Sequence, residues 1–75
     1  MKLAPIQHSL IIDGVRFKMT EGIIQSTNTQ LVLDKLSKEK CDSILKEANR
    51  IKGTVANHPV KRQLLQGIIM GCIRK

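Results

Sequence analysis

His8-Ser9-Leu10-Ile11-Ile12-Asp13-Gly14-Val15-Arg16-Phe17-Lys18-Met19 is the stretch that decides how this chain begins to fold. Two runs of β-formers flank Asp13-Gly14. A two-residue hairpin turn needs positive φ at both positions, and Asp-Gly is among the few pairs that accept it. The stretch therefore predicts a β-hairpin over residues 8–19. Successive side chains point to opposite faces of a strand, so Val15, Phe17 and Met19 share one face and Arg16 and Lys18 the other.

Outward from the hairpin, Thr20-Glu21-Gly22 has turn chemistry and residues 22–27 have strand chemistry, which predicts a third strand. In residues 30–36 the apolar positions fit neither a period of two nor one of 3.6. A fourth strand and a short helix both remain open there. Residues 38–52 follow helical spacing, with Cys41, Ile44, Leu45, Ala48 and Ile51 on one stripe. Ser37 is a suitable N-cap, Glu39 sits in the first turn, and Gly53 stands where a C′ glycine ends a helix. Arg50 and Lys52 fall in the last turn, where cations suit the dipole.

Residues 59–73 predict a second helix, capped by Asn57 or His58 and opened by Pro59. Val60, Leu64, Leu65, Ile68, Ile69, Cys72 and Ile73 make a broad apolar face, and Met70 nearly closes the circle. A helix apolar around most of its circumference must be covered on most sides. A hairpin and one helix look too few for that, so the expectation is a second copy or a partner. The order of elements gives an α+β fold: a small antiparallel sheet followed by two helices, in a single domain spanning residues 1–75.

Charge narrows the function. Thirteen Lys and Arg against six Asp and Glu give a formal net charge of +7. No carboxylate side chain follows Glu47, while Arg50, Lys52, Lys61, Arg62, Arg74 and Lys75 all do. Such an excess favours nucleic acid, an anionic membrane or an acidic protein as partner. Phe17 is the only aromatic residue, which removes the stacking platform of single-strand and RNA-binding sheets and leaves duplex or backbone binding. The apolar run near the C-terminus is far short of the roughly twenty residues a spanning helix needs. The first eight residues, interrupted by Pro5, Gln7 and His8, do not read as a signal peptide. The expected location is cytoplasmic.

Catalysis finds no support. His8 and His58 are isolated and the carboxylates are scattered. No phosphate loop, nucleophile motif or metal-ligand spacing occurs, so neither a metal nor another cofactor is expected. Cys41 and Cys72 lie on apolar helix faces and read as buried free thiols. A chain of 75 residues buries only about 60–65% of its unfolded surface, and oligomerisation is a common supplement.

The expected function is a small homodimeric DNA-binding regulator. Arg50, Lys52, Lys61 and Arg62 would meet duplex phosphates around the connector between the helices, with Arg16 and Lys18 on the strand face as further contacts. Leu64, Leu65, Ile68, Ile69, Cys72 and Ile73 would form the dimer core. The alternative is a protein-binding modulator, inhibitor-like or antirepressor-like. It would use Ile68, Ile69, Met70 and Ile73 against the apolar groove of an acidic partner.

Overall fold

The computed structural model describes residues 6–22 and 26–75. Asp13 and Gly14 take φ of 52° and 78°, the two positive values that join Ile6–Ile12 (β1) to Val15–Glu21 (β2). The ladder is antiparallel and uninterrupted, from Ile12↔Val15 at the turn to Ile6↔Glu21 at the open end. Phe17 and Met19 are buried while Arg16 and Lys18 are exposed, as the alternation requires. Ser26–Thr27 (β3) pairs antiparallel with β2 and completes a sheet ordered β1-β2-β3. Of the strand expected at residues 22–27, positions 23–25 lie outside the described residues.

Asn28 turns the chain from the sheet into Thr29–Asp34 (α1), which resolves the ambiguous segment as a helix. Its side-chain oxygen accepts from the Lys18 N–H at 2.7 Å, and its own N–H donates to the Lys18 carbonyl at 3.2 Å. Thr29 and Leu33 face the core, with Val32 and Leu36 half-buried beside them, a helical spacing. Ser37 caps Lys38–Ile51 (α2) by accepting from the Lys40 N–H at 3.2 Å. Gly53 does not end α2 in a left-handed C′ conformation. The chain runs on into a 3₁₀ turn at Lys52–Val55, and Gly14 is the only described glycine with positive φ. Pro59–Arg74 (α3) follows, capped by His58, whose Nδ1 accepts from the Lys61 N–H at 3.3 Å.

The helices lie over one face of the sheet. Ile12, Phe17 and Met19 from the hairpin meet Leu33 of α1, Cys41, Ile44 and Ala48 of α2, and Leu64, Leu65, Ile68 and Cys72 of α3. This overturns the expectation that α3 needs a second copy to cover it. Leu64, Leu65, Ile68 and Cys72 are all 3% exposed or less within one chain, so they cannot form a dimer surface. Three walls enclose α3: the hairpin, α2, and α1, the short helix that was one of the two readings open for residues 30–36. Ile69 is half-buried. Of the expected interface, only Ile73, 64% exposed, stands clear of the core.

Gly71 is what lets α1 close against α3. A Cβ at that position would sit 2.4 Å from Leu33 Cδ1, well inside van der Waals contact. Lys75 reinforces the same junction by donating from Nζ to the carbonyls of Leu33 and Leu36 at the end of α1. The Lys40 ammonium binds both the carboxylate and the carbonyl of Asp13 at 3.0 Å, tying the hairpin tip to the start of α2.

Candidate anion-binding surface

The connector between α2 and α3 is built by short local hydrogen bonds. Thr54 Oγ1 donates to the Ile51 carbonyl at 2.7 Å, and the His58 N–H donates to the Val55 carbonyl at 3.0 Å. Val55 is buried and anchors the turn in the core. The chain therefore reverses tightly, and Lys52, just past α2, comes to face the first turns of α3.

Lys52 and Arg62 line one concavity of about 270 Å³, together with Ala56, Leu65, Gln66 and Ile69. No carboxylate contributes to that lining. Arg62, Gln66 and Ile69 recur at i, i+4 and i+7, so they form one line along α3 that continues to the exposed Ile73. The site is thus a cleft with two cations, one amide and an apolar floor. It suits an anion whose neighbouring surface is not fully hydrated.

The six expected contact residues do not act together. Arg50 bonds both oxygens of the Glu47 carboxylate on the preceding turn of α2, which lowers the Glu47 pKa and raises that of Arg50. Its charge is therefore largely matched. The i, i+3 spacing of Glu47 and Arg50 carried that information. Lys61 is half-buried and lies on the helical line of Leu65, Ile68 and Cys72, so it faces inward from Arg62. Arg16 and Lys18 project from the sheet face opposite the helices, away from the cleft. Lys52 and Arg62 are the pair that the fold brings together.

A cluster that no sequence spacing signals lies at the start of α3. His8 Nε2 is 3.2 Å from Glu21 Oε2, and the His8 and His58 rings meet edge to face with centroids 5.6 Å apart. Because His58 Nδ1 accepts the Lys61 N–H, that nitrogen carries no proton in this arrangement, and His58 serves as a neutral cap. Fifty residues separate His8 from His58, so only the folded hairpin shows the cluster.

A larger cavity of about 460 Å³ opens between β3, α1 and α3 and is lined by Ser26, Thr27, Thr29, Gln30, Gln63 and Gly67, with Met19 and Leu64 beneath. It holds no charged side chain, so it is no candidate for an anion. Thr29 Oγ1, buried beside it, has no hydrogen-bond partner among the described residues. Among the described residues no three His, Cys, Asp or Glu side chains are placed to hold a metal, and no helix is long and apolar enough to cross a membrane. No protein-family model, curated protein or solved structure matches the chain.

Proposed function

We propose that the protein binds duplex DNA through its phosphates, with the Lys52–Arg62 cleft as the principal contact. One observation carries the reading. Two cations ten residues apart share one concavity, no carboxylate lines it, and the chain holds no Asp or Glu beyond Glu47. The bidentate fork of Arg62 and the point charge of Lys52 are the two kinds of cation that phosphate oxygens accept. A net charge of +7 adds long-range attraction to a polyanion. The lack of aromatics beyond Phe17 favours a duplex over a stacked single strand. Arg16 and Lys18, on the other side of the sheet, would meet a different stretch of polyanion.

The apolar floor of Leu65 and Ile69 favours a second reading, an acidic protein segment with its own apolar side chains. This version of the modulator hypothesis no longer runs through Ile68, which is fully buried, but through Ile69, Met70 and Ile73.

The test is a titration of mixed-sequence duplex DNA over a salt series. Each phosphate contact contributes about −0.9 to the slope of log K against log salt. Two contacts from the cleft predict a slope of about −1.8 or steeper. Absence of binding at low salt would overturn the duplex reading and leave the acidic protein segment.

A further inference from the structure

The strand order β1-β2-β3 leaves β1 as an outer strand. Ile12 and Val15 close a two-residue turn as a hydrogen-bonded pair. Alternation along the ladder then points the backbone N–H and C=O groups of His8 and Leu10 toward β2 and those of Gln7, Ser9 and Ile11 away from it. Among the described residues, none of those outward groups donates or accepts a hydrogen bond.

Among the described residues, nothing on this edge blocks strand addition. Natural edge strands are guarded by lysines, prolines or bulges. From Ile6 to Ile12 there is no Lys, Arg, Asp, Glu or Pro, and the register with β2 runs without a bulge. Ile6 is 57% exposed and Ile11 61%.

The strand is also complementary to itself. β1 has seven residues and its central one is Ser9. A two-fold axis through Ser9 pairs every residue antiparallel with a mate: Ser9 with Ser9, His8 with Leu10, Gln7 with Ile11 and Ile6 with Ile12. Ser9 is one of the outward-bonding residues, so full overlap and correct hydrogen-bond parity fall on the same register. The three outward pairs then exchange two N–H···O bonds each.

Charge permits the approach although each copy carries +7. The cation nearest the axis on the open sheet face is Lys18, which sits across from Ser9. Lys18 and its mate would be three strand spacings apart, about 14 Å. That exceeds the Debye length of about 8–10 Å at ordinary ionic strength, so their repulsion is screened.

We infer that β1 is the contact between two copies of this chain, joined antiparallel across Ser9 into one continuous six-stranded sheet. The helices of both copies lie on one face, and Arg16 and Lys18 of both lie on the other. The inference rests on the strand edge and is independent of the duplex reading.

Cysteine cross-linking of the full chain tests the register. Ser9→Cys, Gln7→Cys and Ile11→Cys all lie on the exposed sheet face and leave the core untouched. Diamide, which accepts the two electrons and two protons of a thiol pair, oxidises each variant, and circular dichroism verifies its fold. The hydrogen-bonded Cα separation of about 5.5 Å at position 9 suits a disulfide. Position 7 lies about 14 Å from its own mate along the strand, far beyond disulfide reach, and the same holds for position 11. Ser9→Cys is expected to double the 8.4 kDa mass on a non-reducing gel, and wild type to show no cross-link. Gln7→Cys and Ile11→Cys are expected to stay single alone and to cross-link when mixed. Equal cross-linking at all three positions, or none at Ser9→Cys, overturns the register. A monomer in sedimentation equilibrium at millimolar wild-type protein overturns the second-copy assignment and leaves the edge to a strand of another protein.

Discussion

Gly67 and Gly71 stand one turn apart in α3 and should respond to alanine with opposite signs. Either substitution removes a helix-interior glycine, which by itself favours the helix by up to about 1 kcal/mol. At Gly67 the new Cβ meets nothing within 4 Å, so that gain stands. At Gly71 the Cβ would lie 2.4 Å from Leu33 Cδ1, and carbons pack at about 3.5–4.0 Å. Leu33 must therefore retreat by more than about 1 Å. Leu33 is 1% exposed, so it retreats into packed neighbours rather than into water. Overpacking of this kind costs about 1–3 kcal/mol. The propensity gain cancels between the two variants, so Gly71→Ala should be less stable than Gly67→Ala by about 1–3 kcal/mol. In a domain of this size each kcal/mol moves Tm by about 4–8 °C. Far-UV circular dichroism during thermal and urea unfolding reads the difference, since the chain has no Trp or Tyr for fluorescence. Equal stabilisation by both substitutions would refute the close packing of α1 on α3. Leu33→Val in the Gly71→Ala background shortens the side chain at the clash and should recover part of the loss.

Three further outcomes follow from the same contacts. The Lys40 ammonium, with help from Ser43, holds the Asp13 carboxyl below its ordinary pKa. A depressed carboxyl contributes stability above its unfolded pKa of about 4, and that contribution disappears as pH falls through the folded value. Asp13→Asn, which tolerates the same positive φ, should therefore lower Tm at pH 6, and the difference should shrink as pH falls below about 4. Burial, and the neighbouring Cys41, push the Cys72 thiol up to about 11, so Cys72 should resist Ellman's reagent at pH 8; Cys41, fully buried, is shielded by lack of access, and both should react only in denaturant. Because that pKa is raised above its unfolded value of about 8.5–9, stability is complete at neutral pH and declines as pH rises toward 11. Rapid labelling of the native protein would contradict this packing. Lys75→Ala removes the ammonium that bonds the Leu33 and Leu36 carbonyls and should lower stability by up to about 1 kcal/mol, measured by urea unfolding.

The parts of the fold legible in the sequence were those with a local cause. Asp13-Gly14 dictates its turn, the alternation around Phe17 dictates the buried face, and Ser37, His58 and Pro59 mark helix starts. The helix α1 was obscured because Leu31, apolar and 67% exposed, blurs the spacing of Thr29, Val32, Leu33 and Leu36. Leaving that segment open between strand and helix led to the wrong reading of α3, whose apolar circumference is explained by a third wall within the same chain. Gly53 misled for a different reason: a 3₁₀ turn needs no left-handed residue, so the glycine there does not mark a C′ position. Of the candidate site, the sequence supplied the cations but not their grouping. The partnership of Lys52 with Arg62 depends on how tightly the chain reverses between α2 and α3. The facing of Arg16 and Lys18 away from the cleft depends on which sheet face the helices cover. The Glu47–Arg50 pair is local and was readable from its spacing.

The most direct test of the account compares salt slopes of duplex binding for three proteins: wild type, Lys52→Ala/Arg62→Ala, and the charge-matched control Lys38→Ala/Lys46→Ala. The control removes two exposed lysines from α2 that are interleaved with Glu39, Asp42 and Glu47. All three should keep the same helical spectrum. The cleft variant is expected to lose about 1.8 from the log–log slope, two contacts at about 0.9 each, while the control keeps the wild-type slope. Equal losses in both variants would show that only total charge matters, and an unchanged slope in the cleft variant would show that Lys52 and Arg62 do not touch the phosphates.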